Sequence, residues 1–173
     1  MRVSDPFTEF NCVIIKDNRI YHHKLARLYY TTYDVRRGED IINPNTSHRD
    51  IMLLATEEDA MAYSFLYACV LGIFHVNIIY NGPGMINYES MRFDFLWVRW
   101  FQSSKNSNWT ELDRLTFPPM ADENSFGFID PTLVLRACHL LPLFSEGKCH
   151  EDGIGLSRSA KDGQEWKAYL VNR

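Results

Sequence analysis

Two adjacent pairs, Cys138-His139 and Cys149-His150, join the residue types that most often hold zinc. Adjacent side chains in a strand point to opposite faces, so at most one member of each pair could serve one site. The competing reading places Cys138 in the core and leaves residues 149 and 150 as an exposed loop pair. No Cys-x-x-Cys occurs, which argues against a zinc ribbon or a thioredoxin-like site. A Cys–His nucleophile needs an activated thiolate and a third group to orient the base. Sequence alone cannot place His22, His23, His48, His75, His139 or His150 in a catalytic position beside a thiol. Gly-x-Ser-x-Gly, P-loop, Gly-x-Gly-x-x-Gly and His-Glu-x-x-His motifs are absent, and the acids are unpatterned. The expectation is a chain with no catalytic centre, no metal and no cofactor.

The other chemical signal is electrostatic. Residues 16–37 carry Lys16, Arg19, Lys24, Arg27, Arg36 and Arg37 against Asp17 and Asp34, a local charge of +4. Tyr21, Tyr29, Tyr30 and Tyr33 are interleaved with these bases. Bases with interleaved rings can follow a phosphate backbone and stack on nucleobases. Lys24, Arg27, Arg36 and Arg37 are therefore the candidate nucleic-acid contacts. The same residues also describe an ordinary strand with arginine on its wet side.

The whole chain opposes a general nucleic-acid binder, with a net charge of -4 over 173 residues. Its length fits a single domain, 1–173, with 1–24 as a peripheral N-terminal extension and 145–165 as a polar loop. The first residues hold acids where a secretory signal needs an apolar stretch, so the thiols are expected reduced and the two sequons idle. Residues 60–80 lack formal charge over the length of a membrane span. Tyr63, Ser64, Tyr67, His75 and Asn77 lie along them, and hydrocarbon penalises such polar atoms, so no span is expected.

Positioning falls to strands. Aromatics make up 14% of the chain, a composition suited to pleated, half-buried surfaces. Period-2 alternation marks 25–35 as a strand, with 36–40 as its polar exit. Asn43-Pro44-Asn45 reads as a turn, 51–54 as a short buried strand, and 16–19 as a polar turn after Val13-Ile14-Ile15. Residues 57–72 are open between a helix capped at Thr56 and ended by Gly72, and a strand with Gly72 at a bulge. Phe93 to Phe101 is apolar on both faces and should be a central strand that buries Phe95, Trp97, Val98 and Trp100. Asp130-Pro131 can start a helical turn, and Pro142 confines 138–144 to an edge or a bulge. Many short strands with one or two short helices give a mainly β fold, a small barrel or sandwich.

Tyr30 to Pro44 (YTTYDVRRGEDIINP), Val70 to His75, Asp94 to Phe101, Phe126 to Pro131, Val134 to His139 and Trp166 to Arg173 resemble, in order, one known region. It is the carboxy-terminal region of proteins encoded by fungal Plavaka-type DNA transposons, relatives of CACTA-like elements. The resemblance implies an accessory module, without the acidic triad of the transposase part. Tyr67-Ala68-Cys69-Val70, then Val98-Arg99-Trp100-Phe101, then Val134 to His139 also resemble the motif order of bromo-adjacent homology (BAH) domains. That likeness implies a small BAH-like β-barrel, a histone-peptide or other protein partner, and a nuclear rather than cytoplasmic place. It tips residues 70–80 toward strand. Some BAH-like domains recognise methylated lysine, which needs several rings around a cation. Tyr29 and Tyr33 share a strand face and, with Trp100 or Phe101, are the candidate ligand-binding set, set against burial of the same rings in a core. DNA remains the alternative partner, and no oligomeric state is implied.

Overall fold

The computed structural model describes residues 12–31, 36–55, 64–104 and 113–172. Twelve strands are formed by the described residues, and their only helices are four three-residue 3-10 turns. β1 (Val13–His23), β4 (Asp50–Leu54), β5 (Phe65–Tyr80), β6 (Met91–Trp100), β9 (Phe126–Ile129) and β10 (Val134–Ala137) make the main sheet. Its path is β10-β4-β5-β6-β9, and β1 adds beside the second half of β5. β7 (Gln102–Ser104), β8 (Arg114–Thr116), β11 (His139–Pro142) and β12 (Tyr169–Asn172) form a second sheet, and β2 (Ala26–Thr31) pairs with β3 (Arg37–Ile42) as a hairpin.

β5 is apolar along both faces because both faces are covered in its first half. Ala68 and Val70 point into the main core with Ile51, Leu53, Leu96, Val98 and Ile129. Tyr67 points the other way and packs with Met52, Leu115, Leu140 and Val171 between the two sheets. The alternation breaks at Leu71, where the pairing with β6 slips by one residue between Val70 and Gly72. This bulge changes the phase, so Ile73 rejoins the core on which Ala68 and Val70 lie. A Cβ on Gly72 would run into the ring of Phe74, so the bulge residue has to be small. Residues 65–72 are therefore strand rather than helix, and residues 56–63, where the helix would start, lie outside the described residues.

The mainly β expectation holds, but the sheets do not close into a barrel. β9 and β10 are separated by only residues 130–133, yet they sit on opposite edges of the sheet. The sheet therefore has to curl until its edges stand within reach of a connection that spans at most about 3.6 Å per residue. The last ladder is missing because the β2–β3 hairpin sends Leu28 and Ile42 into the main core. The Ala137 N–H of β10 donates to Asp40 Oδ2 of that hairpin at 2.9 Å. Residues 37–40 are thus part of β3 rather than a polar exit.

Several local expectations are met. Asp130 caps the turn Pro131–Leu133 by accepting the Thr132 N–H at 2.8 Å. Asn43 turns the chain by accepting the Asn45 N–H at 3.0 Å, and the strand with Pro142 is an edge. Lys16 to Arg19 differ from expectation. They form an irregularity inside one continuous strand, with Asp17 and Asn18 at φ of 58° and 50°. β6 is central, between β5 and β9, but its aromatics are less deep than expected. Leu96 and Val98 are fully buried, while Phe95, Trp97 and Trp100 are half-buried. Period 2 turns Leu96 and Val98 into the main core, while on the opposite face Phe93, Phe95 and Trp97 stay in part exposed and only Arg99 is buried.

Replacing Leu96 with Ala is expected to cost about 2–5 kcal/mol, the loss for a buried aliphatic side chain. Phe128→Ala, which removes an exposed ring with one edge contact to Phe95, should cost about 1 kcal/mol or less. Urea denaturation checks both, and equal losses would contradict this assignment of the two faces.

Candidate functional site: a cleft at the corner of two sheets

The chain leaves the main sheet at Trp100 and enters the second sheet at Gln102. Phe101 is the corner, with its N–H donating to the Tyr67 carbonyl at 2.9 Å. Because the backbone turns there, Trp100 packs toward the main core and Phe101 toward the core between the sheets. The Trp100 indole lies over Gly127, where a Cβ would stand 2.8 Å from Nε1. A cleft of about 320 Å3 opens beside this corner. Phe65, Tyr67, Trp100, Phe101 and Pro118 form its apolar walls, and Gln102, Asn124 and Asp122 supply polar groups. Asp122 also caps the turn Glu123–Ser125 by accepting the Asn124 N–H, which fixes its backbone at the rim.

Behind the cleft, Phe101 stacks on Phe117 with ring centres 4.1 Å apart, and both rings meet Tyr169 edge-on. The Arg99 guanidinium lies 4.1 Å from the centre of the Phe117 ring and 5.8 Å from that of Phe126. Arg99 is buried and ion-paired with Glu165. Burial pushes the Glu165 carboxyl up, and the opposing pull of Arg99 offsets only part of this. The cation-binding face of Phe117 is thus filled by the protein's own arginine.

The expected ligand-binding rings are not gathered into one cage. Trp100 and Phe101 share the cleft, but Tyr29 lies on the β2–β3 hairpin, 72% exposed and not burying itself in a core. Tyr33 lies outside the described residues. Phe65, Pro118 and Asp122 replace the tyrosines, and no local pattern marks them, since the first comes from β5 and the other two from the loop between β8 and the Glu123–Ser125 turn. The basic candidates also separate. Lys24 and Arg27 are at the end of the hairpin where Ala26 pairs with Ile42, and Arg37 is at the end where it pairs with Thr31. A six-residue strand puts those ends roughly 17–20 Å apart. Arg27 is paired with Glu39 at 3.3 Å.

A second cleft of about 500 Å3 is lined by His23, Arg27, Arg92, Asp94, Asp130 and Thr132, among others. Within it Arg92 holds Asp94 at 2.7 Å, while Arg27 is paired with Glu39 and Asp130 accepts from Thr132. His75, stacked between Tyr21 and His23, has its pKa lowered by desolvation first and then by Arg92 and His23.

Three of the four thiols are held toward the protonated form. Burial pushes Cys138 up to about 12 and Cys69 higher still, and Cys149 is also raised. Cys138, between β10 and β11, is half-buried, and His139, at the start of β11, is exposed. Among the described residues no three His, Cys, Asp or Glu side chains are placed to hold a metal ion. The segment 145–165 is irregular but pinned. Asp162 is buried, and the amide N–H groups of Leu156 and Ser157 donate to it at 2.7 and 3.0 Å.

Asp50, at the start of β4, has its carboxyl pushed up to about 6, by burial first and against the lowering effects of Arg49 and the Cys69 thiol. A raised carboxyl favours the folded state below its unfolded pKa, and this contribution is lost as pH rises through the folded value. Asp50→Asn keeps the site neutral throughout. The stability of the variant relative to the parent should therefore rise between pH 4 and 7, by about 2–3 kcal/mol at 1.36 kcal/mol per unit. Thermal melts across that range check it, and parallel curves would refute it. No protein-family model, curated protein or solved structure matches this chain, so the reading of the site rests on its geometry.

Proposed function

We propose that this chain is a non-catalytic interaction module of transposon origin that acts in the nucleus on chromatin, taking a basic peptide segment into the corner cleft. The observation that carries the reading is the cleft, where Phe65, Trp100 and Phe101 meet a single carboxylate, Asp122. Apolar walls with a few placed polar groups are the usual form of a recognition site. Rings beside an acid suit an ammonium, above all one that methylation has made easier to desolvate. The net charge of -4 complements a basic histone tail. The raised thiols support recognition rather than covalent chemistry. The resemblances to Plavaka-type transposon proteins and BAH domains supply the nuclear setting.

Fluorescence anisotropy against histone-tail peptides, with and without lysine methylation, tests the proposal. Binding is expected to be methyl-dependent and to weaken about tenfold, or about 1.4 kcal/mol, in Asp122→Asn, a substitution that keeps the cap. Tyr29→Ala should bind like the parent, because Tyr29 lies outside the cleft. Absence of peptide binding, or equal binding by Asp122→Asn, would refute it. Binding to DNA that falls steeply with salt would favour the basic-stretch alternative instead.

A further inference from the structure

β5 is longer than the core it crosses, and past Ile73 its two faces diverge. Residues paired directly across strands share a face. On one face His75 lies between Tyr21 and Asp94, which makes it polar. On the other, Val76 lies between Ile20 and Phe93, Phe74 between His22 and Phe95, and Ile78 between Ile15 and Met91. Phe128 of β9 joins this second face opposite Trp97 and meets Phe95 edge-on. None of these paired positions carries a formal charge. Much of the face is in water: Phe128 is 70% exposed, Ile20 61%, Met91 58% and Phe93 49%.

We propose that this aromatic face of β1, β5, β6 and β9 is covered by a second copy of the same chain, giving a two-fold, face-to-face dimer. The first argument is area. At roughly 150–250 Å2 per large side chain, these four exposed fractions together with Ile15 at 38% leave about 410–690 Å2 of apolar surface. That lies at or above the largest patch on a typical monomer, about 300–600 Å2, and reaches the roughly 600 Å2 per partner at which stable interfaces begin. The second argument is charge. The paired positions carry no charge that selects a different partner, and the exposed Lys16, Asp17 and Arg19 are confined to the irregularity between Ile15 and Ile20, whereas a two-fold axis sets each apolar residue against the same kind of surface. Two such sheets can pack about 10 Å apart with their side chains interdigitated. The corner cleft lies at the other end of β5, beside Phe65, so both surfaces can be occupied together.

Sedimentation equilibrium of the full chain across micromolar concentrations decides the matter. The expected mass at the upper end is that of two 20.3 kDa chains. Phe128→Asp and Met91→Glu, both at exposed positions, should each raise the dissociation constant by at least about tenfold while the circular dichroism of the folded chain stays unchanged. Tyr29→Asp, on an exposed ring away from the face, should leave the dimer intact. A single-chain mass at every concentration overturns the proposal and leaves the face to a different protein. A dimer indifferent to both variants, or a mass above two copies, overturns it as well.

Discussion

Residues 130–133 tie together two strands that lie on opposite edges of one sheet, and this short connection constrains everything around it. A flat sheet would hold β9 and β10 several strands apart, farther than four residues reach. The sheet has to curl, and curling gives β4, β5 and β6 an inside, where Ile51, Val70, Leu96 and Val98 lose all contact with water. The Asp130 cap and Pro131 set the turn that makes so short a crossing feasible. The hairpin then wedges into the seam with Leu28 and Ile42, and Asp40 satisfies an amide of β10 that a further strand would otherwise have bonded.

The corner at Phe101 depends on a second constraint, the burial of Arg99. An ion pair removed from water gives little net stability, but loss of one partner typically costs about 3–5 kcal/mol. Arg99 and Glu165 therefore fix the carboxy-terminal segment against β6 more through what their separation would cost than through attraction. Asp162 holds the same segment by accepting two backbone amides. With Phe117 and Phe126 around the guanidinium, these contacts form a rigid back wall, against which Phe101 and the corner cleft are held.

Both surfaces proposed for binding follow from the length of β5. Sixteen residues exceed what the core can cover, so the strand serves two neighbours on one side, β4 near its start and β1 near its end. At the start, the second sheet covers the outer face and leaves the corner cleft. Toward the end nothing in the described structure covers the aromatic face, and a recognition site and an assembly surface can coexist on one strand.

The sequence by itself determined the strand character of 93–101, the Asn43 turn, the Asp130-Pro131 turn and the exclusion of Pro142 from a central strand, whereas local pattern left 70–80 open between helix and strand. Each depends on a few neighbouring residues, namely a run of apolar and aromatic side chains, a capping carboxylate or a missing amide N–H. Tertiary structure alone decided the rest. Trp100 and Phe101 belong to different cores because the backbone turns between them. Tyr29 is exposed because its hairpin buries the opposite register, through Leu28. Phe65 and Asp122 reach the same cleft from 57 positions apart in the sequence. Which residues meet across a curled sheet is set by strand partners, bulge phase and edge closure, and none of these is carried by spacing along the chain.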